Sequence, residues 1–189
     1  TEDSYIWGMD FPKNTLPSLY YREEVFAAVV REQLRLLVRM GFQMIVVVNG
    51  HGAQGQVDTL RRLCDEVGHE QGVYCLYSDF DGPRSTALVQ TAGLRPGHAD
   101  RLETSLMLRV TDSVALDALP ARSTALHSAD FGIASGDQFG GVAPKDGVVT
   151  DDPRDATAEL GEAMLNAIAQ DAAELILSRY RTHVGEPRS

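Results

Sequence analysis

Apolar positions recur every three or four residues from about Arg22 to Met40, where Phe26, Val29, Val30, Leu34, Leu37 and Val38 share one face. That period predicts an amphipathic helix. Glu23 and Glu24 fall in its first turn, where the helix dipole favours anions, and Gly41 is placed to cap its end. The period then changes. Gln43 to Val48 is a short, β-branched run between glycines, which predicts a parallel strand buried on both faces. Asn49-Gly50-His51-Gly52 is the loop at the carboxyl end of that strand. A helix is predicted from about Gly55 to Glu70, and a second strand from Val73 to Tyr77, ending at Ser78-Asp79. Strand, loop, helix and strand make one βαβ unit, for which a right-handed crossover is expected.

The rest of the chain has weaker periods. Residues 79–97 read as a loop with some helix, and 112–152 as long loops with short strands. Arg101 to Val110 reads as a helix beginning just after Gly97-His98, with Leu102, Leu106 and Met107 toward the core. Asp155 to Tyr180 reads as a long helix, striped by Ala158, Leu160, Met164, Leu165, Ile168, Ala172, Leu175 and Ile176. His183 to Ser189 reads as frayed. Residues 1–20 keep no period. No repeat or linker divides the chain, so 1–189 reads as one α/β domain.

Composition changes this picture only at the level of partners. The 189 residues are 43% hydrophobic and 23% charged, the balance of an ordinary soluble globular protein. The net charge of −10 argues against nucleic acid and anionic membranes as partners. Apolar runs such as Met44 to Val48 are too short to span a bilayer, and no signal peptide is visible. Cys64 and Cys75 lack a CxxC spacing and read as free thiols of a cytoplasmic protein.

Two clusters carry candidate chemistry. In an open α/β sheet, ligands bind beyond the carboxyl ends of the strands, where Asn49-Gly50-His51-Gly52 falls. Glycines there allow close approach, and a neutral imidazole is a good metal ligand. The same four residues also read as a tight turn with an incidental His. The second cluster is Gly97-His98-Ala99-Asp100-Arg101-Leu102-Glu103-Thr104-Ser105. A carboxylate among apolar neighbours is costly unless it is paired or metal-bound. The plainer reading makes Asp100 and Glu103 ordinary acidic residues at a helix N-terminus. Asp79 and Asp81 follow the second strand and read as loop formers near the site. His69, His127, His183, Asp130 and Asp137 carry no motif.

Taken together, the clusters resemble the creatininase family of metal-dependent amidohydrolases. Asn49-Gly50-His51-Gly52-Ala53-Gln54 is similar to its NGHGGN loop, and Gly97-His98-Ala99 through Glu103-Thr104-Ser105 to its HAG-x-x-ETS segment. Phe11-Pro12-Lys13-Asn14-Thr15-Leu16 resembles its FPGT stretch. Gly147-Val148-Val149, Asp152-Pro153-Arg154 and Ala156 resemble the stretch before its last helix. The order and spacing agree over nearly the whole chain.

The resemblance implies a three-layer α/β/α domain with a mainly parallel sheet and hydrolysis of a C–N bond in a small amide, lactam, formamide or peptide. It implies a divalent metal, two per site, as zinc, manganese or iron. His51 is then a metal ligand, Glu103 a ligand or partner of metal-bound water, and His98 the proton shuttle; Trp7, Asn49 and Gly52 meet the substrate. A metal supplies an activated water and polarises the amide carbonyl. Protonation of the leaving nitrogen suits an imidazole. Nothing in the chain matches the family's N-terminal E-x-H-G-x-H segment, which supplies most ligands. The expectation is that a second chain supplies it or that it precedes Thr1. Ala53 stands where creatininase itself has Glu, and Lys13 where Gly is usual, which argues against creatinine as substrate. A homo-oligomer, with a hexamer as one form, is expected. The alternative is a non-catalytic creatininase-like subunit that scaffolds an active partner.

Overall fold

The computed structural model describes residues 21–51, 54–79, 81–95, 100–119, 121–123 and 151–185. They group into two compact units, one within residues 18–80 and 172–189, the other within 81–171.

The first unit contains α1 (Glu23–Arg39), β1 (Met44–Asn49), α2 (Gln54–Gln71) and β2 (Tyr74–Asp79). The strands pair in parallel, with Ile45 opposite Cys75, Val47 opposite Tyr77 and Asn49 opposite Asp79. Alternation puts these residues on one face of the sheet. That face meets the core of Ala27, Leu34, Ile45, Leu63 and Val67, flanked by Val30, Leu37, Val38, Val47 and Cys75. Gly41 has φ of 93° and closes α1, as expected. Ion pairs join the two helices on their outer side: Glu23 with Arg62, Arg31 with Glu66, and Arg35 with Glu70. Residue numbers rise together along both helices, so α1 and α2 run parallel. Exposed pairs of this kind add little stability; the aliphatic seam beneath them does the holding.

The second unit contains α3 (Pro83–Thr91), α4 (Arg101–Val110), 3-10 turns at Leu116–Ala118 and Pro153–Asp155, and the first part of α5 (Ala158–His183). Among its described residues, the polar Ser85, Asp100, Ser105 and Asp171 are buried beside Leu94, Ala156 and Met164. Asp171 of α5 caps α3: its carboxylate accepts from Arg84 N at 3.0 Å, Ser85 N at 2.9 Å, Ser85 Oγ at 3.2 Å and Arg84 Nη1 at 3.0 Å. The residue at the N-cap position of α3, Gly82, has no side chain to offer, and a Cβ there would collide with Asp171. The carboxylate therefore replaces a local cap and meets the positive end of the helix dipole. Burial pushes its pKa up, but donation from Ser85 and Arg84 outweighs this and holds it below the ordinary carboxylate value.

Four expectations need correcting. β1 is not buried on both faces, since Val48 is 51% exposed. Val29, Met107 and Leu165 lie on outer faces of their helices, where Ala27, Ser105, Gly161 and Met164 are buried instead. The start of α5 is preceded by the 3-10 turn, not by helix from Asp155. His183 ends α5 and stacks on Tyr74 with ring centroids 3.9 Å apart, so it is not frayed. No helix among the described residues is long and apolar enough to cross a membrane.

Candidate active site at the carboxyl end of the first strand

β1 ends at Asn49, and its side chain builds the turn that follows. Asn49 is 6% exposed. Its Nδ2 donates to His51 O at 2.6 Å and to Tyr77 Oη at 3.2 Å. Its Oδ1 accepts from Gln56 Nε2 at 2.7 Å and from His51 N at 3.4 Å. One amide thus spans β1, β2, the first turns of α2 and both main-chain groups of His51. A buried amide with all its hydrogen-bonding capacity used fixes one loop conformation, because releasing any partner leaves a polar group unpaired. His51 is held at the edge of the parallel strand pair, half-buried, where α/β proteins place ligand-binding residues.

Tyr77 and Gln56 are the residues the motifs do not point to. Tyr77 has no motif; only the strand register puts its hydroxyl under the loop. Arg61 lies 4.9 Å over the Tyr77 ring and bonds Asp79 at 3.1 Å, so Asp79 ends β2 in an ion pair.

The second cluster lies on α4. Asp100 is 1% exposed and caps that helix, accepting from Glu103 N at 2.8 Å. Glu103 sits in the first turn and is exposed, so its carboxylate is not buried among Leu102, Leu106 and Met107. Ser105 is fully buried: its Oγ donates to Arg101 O at 2.6 Å and accepts from Thr157 N at 3.0 Å. Gly161 of α5 lies against the Ser105 carbonyl so closely that a Cβ would overlap it. Asp152 caps the turn before α5 and binds the Arg154 guanidinium at 2.6 Å, which holds its carboxyl below the usual range. In these motifs Ser105, Asp100 and Asp152 serve helix placement.

His51 and Glu103 belong to different units, and His98, Trp7 and Gly52 lie outside the described residues, as do His127, Asp130, Asp137 and the stretches at 11–16 and 147–149. Among the described residues no three His, Cys, Asp or Glu side chains gather closely enough to hold a metal ion. His51 and Glu103 alone therefore do not make a metal centre, which needs three or more protein donors.

A parallel strand pair packed against helices defines an α/β protein. The chain belongs to the creatininase family: the model of that family, described as creatinine amidohydrolase, matches residues 7–176. Solved structures agree on the fold. A type II creatininase with a Trp-to-Phe substitution superposes with a TM-score of 0.61 at 22% identity, covering 88% of this chain and 68% of that one. A manganese creatininase gives 0.59 at 21% identity, over 88% and 68%. A creatininase mutant complexed with creatine gives 0.59 at 21%, over 88% and 69%. No curated protein sequence matches the chain with comparable significance.

Proposed function

We propose that this protein is a metal-dependent amidohydrolase that hydrolyses a C–N bond of a small amide, lactam, formamide or short peptide. The observation that carries the reading is the His51 loop, locked by Asn49 at the carboxyl end of β1 in a chain of this family. His51 and Glu103 are metal ligands, and His98 delivers a proton to the leaving nitrogen. The remaining donors come from outside the described residues, from this chain or a second one. Trp7 and Gly52 meet the substrate, while Asn49 serves it by holding the loop. The protein works as an oligomer in the cytoplasm.

Elemental analysis of the purified protein tests this. About two zinc, manganese or iron ions per chain are expected. His51→Ala should lose metal and amide hydrolysis while keeping its far-UV spectrum. A protein that takes up no metal after incubation with zinc or manganese overturns the reading and leaves a scaffolding subunit. So does a His51→Ala variant with normal metal content.

A further inference from the structure

Four large apolar side chains of α1 face away from the core. Val25, Val29, Leu36 and Met40 are all exposed, Val29 by 53% and Met40 by 73%. At 3.6 residues per turn they lie within about 60° of one another around the helix, on the side away from the buried Ala27 and Leu34. They form a second apolar stripe on a helix that already has one in the core. A strand added at the edge of the β1–β2 pair would lengthen the sheet and leave this far side of α1 bare. The spacing within the stripe is four, seven and four residues, so it reads the same from either end. The charge does not: Glu23 and Glu24 begin the helix and Arg39 ends it.

We infer that α1 packs against α1 of a second copy of this chain, antiparallel, about a two-fold axis that passes between Glu32 and Gln33. A two-fold interface must be self-complementary, each residue meeting a counterpart that meets it in return. The stripe satisfies this: Val25 falls opposite the partner's Met40, and Val29 opposite the partner's Leu36. The same rotation sets the acidic first turn beside the basic last turn, with Glu24 near the partner's Arg39, and it opposes the two helix dipoles. A parallel pair would put like charges side by side instead. Near the axis, Glu32 holds Arg39 of its own chain at 3.0 Å, so its charge is compensated before the copies meet. Tyr21 and Phe42 are exposed beyond opposite ends of α1, and the antiparallel arrangement brings Tyr21 toward the partner's Phe42.

The contact gives the oligomer proposed above a surface, and it is independent of the catalytic reading, which metal content decides. The mass of the full chain in solution, measured by light scattering after gel filtration, tests it. Wild type should weigh at least twice the 20.6 kDa chain. Val29→Glu and, separately, Leu36→Lys each set a charge against an apolar side chain across the axis. Each should halve the mass, because this is the contact that joins the two halves. Both side chains are exposed, so the far-UV spectrum should not change. The double variant is the decisive arm. In the antiparallel pair the carboxylate in place of Val29 meets the ammonium in place of the partner's Leu36, and the reverse pair forms as well, so the wild-type mass should return. In a parallel pair like charges would meet and the mass would stay low. A monomeric wild type, single variants of undiminished mass, or a double variant that stays dissociated each overturn the inference.

Discussion

The region that carries His51 and the region that carries Glu103 are held by different forces. Around His51, α1 and α2 press Leu34, Leu63 and Val67 onto Ile45 of the sheet, and the Asn49 amide is the polar device that fixes the loop. Around Glu103, the buried groups include Asp100, Ser105, Ser85 and Asp171, each tied to a helix N-terminus or a helix contact. Apolar contacts are non-directional and do not respond to pH. Capping carboxylates and hydroxyls are directional, and the carboxylates titrate. The first region should yield to loss of volume, the second to loss of fit or charge.

Leu63→Ala probes the first region most sharply. Leu63 is fully buried at the centre of the aliphatic cluster, and truncation should cost about 2–5 kcal/mol. Urea unfolding checks it through the midpoint. A cost below about 1 kcal/mol would mean that the helices are held by their outer ion pairs, contrary to the comparison. Gly161→Ala is the matching probe of the second region. Alanine in place of glycine within a helix ordinarily stabilises by up to about 1 kcal/mol. Here the new methyl meets the Ser105 carbonyl, which is backbone and does not swing aside, so a loss of about 1–3 kcal/mol is expected. The sign of the change decides it.

The same division explains how much of the molecule is legible in its amino-acid sequence. The βαβ unit is legible because a β-branched run flanked by glycines has few alternatives, and α4 follows its predicted span residue for residue. The His51 loop is legible for the same local reason. Its support is not. Tyr77 meets Asn49 only through strand register, and Gln56 only through the turn into α2. Nor is the packing of α5, because its inner face is made by Gly161, Met164 and Asp171, two of which carry no hydrophobic signal. The motif similarity in Ser105 and Asp152 points toward chemistry, yet both side chains hold helices in place. Recurrent spacing records packing as readily as catalysis.

Asp171→Asn gives the smallest expected change at neutral pH and the most specific one. Asparagine keeps the volume and one acceptor oxygen, but loses the charge that faces the N-terminus of α3 and the Arg84 guanidinium. The native carboxyl binds its proton more weakly than an unfolded aspartate, whose pKa is about 3.9. Its contribution is therefore complete above that value and lost as pH falls through the lower native one. Wild type should be the more stable protein at pH 7, and the gap should close as acidification carries the pH through the lowered native pKa. Thermal unfolding of both proteins along this acidification checks this. A gap that stays constant would mean that Asp171 acts through shape, as Leu63 does, and the contrast between an apolar region and a charged one would lose its clearest support.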